Sequence, residues 1–185
     1  MTDVLEAARA ALETLVLDVP DFPEPGIVFK DITPLLADPD GFAAVVAGLA
    51  EAGRDEHGAT VVDAVVGLEA RGFILAAPVA LALGVGFVPV RKAGKLPPPT
   101  RSLTYGLEYG EATVEIREGT VPAGARVMLV DDVLATGGTA AAGAELLEQL
   151  GAEVVGLAFL LELDGLGGRE KLVGRSVSTV LLAGS

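Results

Sequence analysis

A chain of 185 residues, 51% hydrophobic and 21% charged, is long enough to bury one core and too short for two comfortable ones. It has no cysteine, which excludes a disulfide framework, a thiolate metal site and a cysteine nucleophile. A net charge of −13, from 26 acidic and 13 basic residues, argues against a broad nucleic-acid surface and makes an anionic ligand depend on a local reversal of charge.

The opening stretch MTDVLEAARAALETL carries Asp3 and Glu6 where a secretory leader needs basic residues, so it reads as an amphipathic helix without an export signal, and a cytoplasmic setting is expected. In the following segment Pro20, Pro23, Pro25 and Gly26 forbid a continuing helix, and DFPEPGIVFKDITPLL is expected to be an ordered loop. Asp40 is then the expected N-cap of a helix running to about Glu56, with Phe42, Val45, Val46 and Leu49 on one face.

Thr60 to Val66 is a β-branched run of the kind found in strands covered on both faces. The stretch Gly72 to Val90 holds no charge over 19 residues, close to the ~20 a membrane helix requires. Pro78, Gly84, Gly86 and Pro89 interrupt it, so the pattern predicts a buried helix over Phe73 to Leu83 and a buried strand over Gly86 to Val90. Strand, helix and strand at this spacing form a βαβ unit and imply a parallel sheet.

Arg91 to Gly110, RKAGKLPPPTRSLTYGLEYG, is rich in Pro, Gly and cations and reads as a long loop, functional or disordered. Ala112 to Ile116 alternates weakly as a strand. Arg126 to Val130 is the next buried strand, followed by a glycine-rich turn, a helix from Thr139 to Leu150 closed by Gly151, and strands at Glu153 to Leu161 and Val177 to Leu182. The expected fold is α/β, a central mostly parallel sheet flanked by helices, with residues 1–185 forming one domain.

Two features concentrate chemistry. From Ala70 to Leu107 there are 38 residues without one Asp or Glu, and Arg71, Arg91, Lys92, Lys95 and Arg101 fall among them. That is the local reversal an anion needs; a core helix followed by a solvated basic loop would give the same composition. The second is Val127 to Thr139, VMLVDDVLATGGT, in which an apolar strand delivers Asp131 and Asp132 where it is expected to stop, at the edge where open parallel sheets bind ligands. Gly137 and Gly138 let backbone N–H groups converge on an anion, and the Thr136 and Thr139 hydroxyls add donors. Carboxylates followed by an anion cradle suit a ribose phosphate. Neither GxxxxGK[ST] nor GxGxxG occurs. A turn that uses its glycines for tightness alone is the competing reading.

On these residues the chain resembles the type I phosphoribosyltransferases: LVDDVLATGGT is similar to their phosphoribosyl pyrophosphate motif. DFPEPGIVFKDITPLL, GLEARGF, VPVRKAGKLP, YGLEYG, VEI and GREKL are similar to successive signatures of the adenine phosphoribosyltransferase family. The resemblance implies transfer of a 5-phosphoribosyl group from phosphoribosyl pyrophosphate to adenine, giving AMP and pyrophosphate. It implies an N-terminal hood over residues 1–35 and a flap over 91–116. Asp131 and Asp132 would hold the ribose hydroxyls, and Ala135, Thr136, Gly137, Gly138 and Thr139 the 5-phosphate. Glu69, Ala70, Arg71 and Gly72 would form the pyrophosphate loop, aided by Arg91, Lys92 and Lys95, one such cation commonly crossing a homodimer interface. Phe29 and Leu160 would sandwich the adenine while backbone groups at Val28 and Lys30 read its edge, although pattern alone favours core for Phe29 and Leu160. Glu108 would be the general acid or base. Mg²⁺ would arrive with the substrate, with no direct protein ligand.

The flap departs from the family at Pro97 to Thr100 and at Gly106, which bears on its stiffness. His57, the only histidine, reads as a surface residue. Another nucleobase, or a phosphoribosyl pyrophosphate sensor that binds DNA, are the rival readings; the acidic chain has no room for a basic DNA-binding module.

Overall fold

The computed structural model describes residues 2–106 and 110–184. Helix α1 (Thr2–Leu15) leads to strands β1 (Leu17–Pro20) and β2 (Val28–Asp31), which pair antiparallel. Helices α2 (Thr33–Ala37) and α3 (Pro39–Ala50) follow. Then come β3 (Ala64–Leu68), α4 (Arg71–Leu83), β4 (Gly86–Lys92), β5 (Thr100–Gly106), β6 (Glu111–Arg117), β7 (Arg126–Leu134), α5 (Gly138–Gln149), β8 (Glu153–Leu163) and β9 (Val177–Ala183). The main sheet has seven strands in the order β5-β6-β4-β3-β7-β8-β9. From β4 to β9 the strands run parallel, and β5 and β6 extend one edge as an antiparallel pair. This is the expected α/β architecture, a mostly parallel sheet flanked by helices.

The strands are apolar on both faces because each face is covered by helices. On β7, Met128 and Val130 join α1, α3 and α4 in one core cluster, while the alternating Val127 and Leu129 join α5 in the other. Within the uncharged stretch at residues 72–90, Leu75, Ala76, Val79, Ala80, Leu83, Val88 and Val90 pack into the two cores while Ile74, Leu81 and Phe87 stay exposed, and no described helix is long and apolar enough to cross a membrane.

Several boundaries differ from expectation. The proline-rich entry segment is not all loop: its β2 strand hydrogen-bonds back onto β1, which the prolines concealed. Helix α3 is capped by Asp38, whose Oδ1 accepts the Gly41 N–H at 2.7 Å, and not by Asp40; it ends at Ala50, before a short 3-10 turn at Glu51–Gly53. Strand β3 starts at Ala64, because the Thr60 hydroxyl donates to the Leu83 carbonyl and Asp63 accepts the Arg126 N–H. Residues 100–106, expected as loop, pair with β6 along their whole length, with Leu103 and Tyr105 turned toward the protein.

Candidate active site

The carboxyl ends of β3, β4 and β7 meet at one edge, and the segments leaving them carry the polar groups. Strand β7 does not stop at Val130: pairing with β8 continues through Val133 and Leu134. Asp131 and Asp132 thus lie inside the strand instead of after it, and Asp132 is buried rather than exposed. Holding adjacent carboxylates there is costly, and the cost is visible. Burial pushes the Asp131 carboxyl well above the usual carboxylate range and the Asp132 charge adds to the rise, against the Asp132 N–H bond and the Arg71 charge.

Helix α4 begins against this pair. A Cβ on Gly72 would lie 2.8 Å from Asp131 Oδ1 and 2.9 Å from the Val130 carbonyl oxygen, so only glycine lets the helix start this close. The preceding Arg71 reaches in two directions. Its Nε stands 2.7 Å from Asp132 Oδ2 as an ion pair outside hydrogen-bond geometry, and that buried oxygen has no hydrogen bond among the described residues. Its guanidinium also lies over the Phe29 ring, 5.0 Å from the centroid, and Phe22 packs edge-on against the same ring at 5.2 Å. Arg71 therefore joins the β2 hairpin to the acids of β7. Asp31 sits at the end of that hairpin, its carboxyl held below the usual range by the Thr33 side-chain and backbone hydrogen bonds, with a smaller contribution from Arg71. Val28 is exposed, and the Lys30 ammonium is engaged by Asp18 across the hairpin at 2.8 Å.

On the other side, Glu69 Oε1 accepts from Arg91 at 2.9 Å and Glu69 Oε2 from the Lys92 N–H at 2.8 Å. The Arg91 bond, the Lys92 N–H and the nearby cations lower the Glu69 carboxyl, outweighing its burial. Arg91 also donates to the Lys95 carbonyl at 3.2 Å while its buried Nε has no hydrogen-bond partner among the described residues. Ala70, Lys92 and Lys95 are exposed. Glu69, Arg91 and Lys92 line a cleft of about 550 Å³ shared with Tyr105 and Thr139. Beyond Asp131 a smaller cavity of about 90 Å³ is enclosed by residues 133–140, the glycine-rich turn and the start of α5. There Gly137 has φ 75° and stands directly before the first residue of α5, whose free N–H groups face the turn.

The edge therefore offers paired acids, a glycine-rich turn at a helix start, a cation-rich cleft and an aromatic ring bridged to the acids by Arg71. The sequence from residue 36 to residue 177 matches the phosphoribosyl transferase domain family. An adenine phosphoribosyltransferase of a Nocardioides species is 62% identical over 167 residues, covering 90% of each chain.

The chain belongs to the adenine phosphoribosyltransferase family.

Among solved family members, the Thermoanaerobacter pseudethanolicus enzyme superposes with a TM-score of 0.88 at 46% identity, covering 95% of this chain and 99% of that one. The Saccharomyces cerevisiae enzyme, crystallised with adenine and an imino-altritol bisphosphate, gives 0.87 at 43% identity over 95% of this chain and 99% of that one.

Set against the sequence reading, the structure gathers Glu69, Ala70, Arg71, Gly72, Arg91, Asp131, Asp132 and residues 135–139 along one edge, with Phe29 joined through Arg71. Leu160 is not at a ligand-accessible surface: it is 0% exposed within the core cluster that covers α4, because β8 continues beyond it to Leu163. The half-buried Leu163, at the carboxyl end of β8, occupies the edge position instead. Glu108 lies outside the described residues.

Three side chains with contacts at this edge were not singled out from sequence. Glu115 on β6 is buried and accepts the N–H groups of Lys95 and Leu96 at 2.9 and 2.8 Å. Burial would raise its carboxyl, but these bonds, one from Gly94 and the Arg91 charge together lower it. It ties the turn that carries Lys95 to the sheet. The Tyr105 hydroxyl lies 2.9 Å from Thr139 Oγ1, and the Lys171 ammonium stands near Gly138. Period-two alternation of Leu103 and Tyr105 was the available signal for the tyrosine; nothing local marks the lysine.

Proposed function

We propose that this edge transfers the 5-phosphoribosyl group of phosphoribosyl pyrophosphate to adenine, giving AMP and pyrophosphate, a purine-salvage reaction. The observation that carries the proposal is the adjacency of the costly Asp131–Asp132 pair to the anion-binding turn, in a chain of this family. The substrate is the kind of ligand that makes use of both.

In this reading Asp131 and Asp132 hold the ribose 2- and 3-hydroxyls, and residues 135–139 hold the 5-phosphate on the free N–H groups before α5. Glu69 to Gly72, with Arg71, Arg91, Lys92 and Lys95, receive the pyrophosphate, whose departure concentrates negative charge. Arg71 must exchange Asp132 for substrate oxygen as the ligand enters. Phe29 stacks on the adenine, with Val28 and Lys30 backbone groups at its edge; the yeast relative holds adenine together with a sugar bisphosphate, the same pairing of ligand types. Leu160 serves as core packing beneath the pocket, and Leu163 takes the apolar wall. Glu108 exchanges a proton with the purine nitrogen system.

Mg²⁺ fits the donor set. Asp131 and the unbonded Asp132 Oδ2 are hard oxygen donors with surplus negative charge, and no cluster of three or more potential metal ligands occurs among the described residues. An ion bound to the substrate would neutralise pyrophosphate and ribose oxygens, with the two acids holding the hydroxyls it polarises.

The division into a hood over residues 1–35 and a flap over 91–116, within one domain, belongs to the same proposal. So does a homodimer, which the exposed Ile74 and Leu81, one face of α4 at 46% and 82% exposure, and Phe87 at 36% support. A cysteine-free sequence agrees with a cytoplasmic setting.

The test is incubation of the protein with Mg²⁺, phosphoribosyl pyrophosphate and, in turn, adenine, hypoxanthine and guanine. AMP formation with adenine alone is expected; product with another base in its place overturns the adenine assignment. Glu108→Leu is expected to lower kcat about 10²-fold or more, and an unchanged kcat removes Glu108 from the mechanism.

A further inference from the structure

We propose that Tyr105 and Lys171, both outside the glycine-rich turn in sequence, complete it as the seat of a phosphate monoester. Tyr105 is a positioning residue acting through Thr139, and Lys171 is a direct cationic contact. The inference rests on the reading of residues 135–139 as the 5-phosphate cradle and names what closes it.

Both side chains converge on Gly138, the first residue of α5. Two ring carbons of Tyr105 lie 3.6 and 3.7 Å from where a Cβ on Gly138 would stand, and the Lys171 Nζ lies 4.0 Å from the same point. An aromatic ring and an ammonium thus both border the space beside Gly138.

The lysine is placed by backbone packing. The 3-10 turn Gly168–Leu172 rests on the glycine-rich turn so closely that a side chain at Gly137 would collide with the Gly168 carbonyl, and one at Gly168 with the Ala135 carbonyl. Leu172, 1% exposed, anchors the far end of the turn in the core. The free N–H groups of a helix start attract anions and repel cations. An ammonium held at that pole is unfavourable without an anion between them and favourable with one. Among the described residues Lys171 takes part in no ion pair.

The tyrosine acts differently. Thr139 lines both the turn cavity and the larger cleft, and its hydroxyl is 2.9 Å from the Tyr105 hydroxyl. A hydroxyl has one hydrogen to donate and two lone pairs. With Tyr105 donating to Thr139 Oγ1, the Thr139 hydrogen is left for a phosphate oxygen, and two hydrogen bonds running in the same direction strengthen one another. Strand β5, which carries Tyr105, thereby fixes the rotamer of a residue 34 positions away. The ligand class is a sugar phosphate monoester, the group that can use the Thr139 hydrogen and the Lys171 charge together.

The experiment compares wild type, Tyr105→Phe, Lys171→Met, Thr139→Val and the Tyr105→Phe/Thr139→Val double variant. Steady-state AMP formation is measured along with calorimetric binding of ribose 5-phosphate. Tyr105→Phe is expected to raise KM for phosphoribosyl pyrophosphate about 5-fold and Lys171→Met about 10-fold, with kcat and the adenine KM within about twofold. Ribose 5-phosphate binding should weaken by the same factors, and Tyr105→Phe should add nothing once Thr139 is valine. An unchanged KM for phosphoribosyl pyrophosphate in both single variants overturns the proposal, as does an additive double variant for the tyrosine. Equal losses for both substrates with a lowered melting temperature also overturn it, by marking a structural role. Wild-type protein that binds ribose 5-phosphate but makes no AMP would overturn the transferase reading while upholding the cradle.

Discussion

The two ends of the parallel strands enclose cavities of similar size and opposite chemistry. At the amino ends a space of about 670 Å³ lies between Asp63, residues 86–89 of β4 and the loop 120–125. Its single carboxylate, Asp63, is satisfied by the Arg126 N–H at 2.8 Å. At the carboxyl ends the cleft is smaller, about 550 Å³, yet that edge holds a carboxyl pushed well above its usual range, the two buried side-chain atoms that lack a hydrogen bond among the described residues, Arg91 Nε and Asp132 Oδ2, and a helix start with an ammonium nearby. Volume does not distinguish the ends; unmet electrostatic demand does. The sheet is satisfied at one end and frustrated at the other, and the frustrated end is the one to which we assign the charged ligand.

The largest way to break that contrast is to deform the anion turn. Gly137→Val puts a β-branched residue at φ 75° and drives its side chain into the Gly168 backbone. Misplacing the turn by even about 1 Å is expected to lower kcat/KM for phosphoribosyl pyrophosphate about 10²-fold, with the adenine KM changing far less. Steady-state kinetics with each substrate varied would show it, and equal effects on both substrates would refute the assignment of the turn.

Next in size is Asp132→Asn. It removes the charge that holds Arg71, freeing the guanidinium and weakening the hold on the ribose hydroxyls. KM for phosphoribosyl pyrophosphate should rise about 10-fold, the scale of one charge-assisted hydrogen bond, while that for adenine stays nearly level. A matching rise for adenine would mean that Arg71 positions Phe29 more than it serves the acids.

How far sequence led to this picture differs by element. The apolar runs at residues 60–66 and 126–130 were legible as buried strands because both faces are covered, although the first is paired only from Ala64 to Leu68, and the glycine-rich turn was legible because its residue types are chemically narrow. The segment after Lys95 was not: prolines and glycines masked the alternation of Leu103 and Tyr105, whose pairing with β6 depends on residues 111–117, distant from any local signal. The burial of Asp131 and Asp132 was misread for a related reason. An apolar run ends at Val130, but the hydrogen bonds from β8 do not, and strand length follows the partner rather than the composition. For Leu160 the pattern, which favoured core, agrees with its burial, whereas the adenine-contacting role came from the resemblance alone. Arg71 over Phe29 and Lys171 near Gly138 join segments far apart in the chain, and no spacing rule contains them.

The smallest effects come from turning one acid at each end of the sheet into its amide. Asp131 has a folded-state pKa raised above its unfolded value, chiefly by burial. Its protonated form therefore favours the fold; that contribution is complete below the ordinary carboxylate pKa and is lost as pH rises through the raised value. At neutral pH, where the unfolded chain's carboxyl is ionised, the raised folded-state pKa costs stability, and Asp131→Asn, which still accepts the Asp132 N–H, removes the cost. The ligand-free variant should melt higher than wild type at pH 7, by roughly 2–4 °C for each kcal/mol recovered. The gap should close as pH falls through the carboxylate range, because wild type is then protonated as well. Asp63→Asn at the other end keeps its bond to Arg126 on an exposed side chain, so melting temperature should hold within about 2 °C and kcat/KM within about twofold. Scanning calorimetry across pH separates the cases. An Asp131→Asn protein that melts no higher than wild type at pH 7 would mean that the acid pair is already relieved without its ligand, and the contrast between the two ends would lose its electrostatic basis.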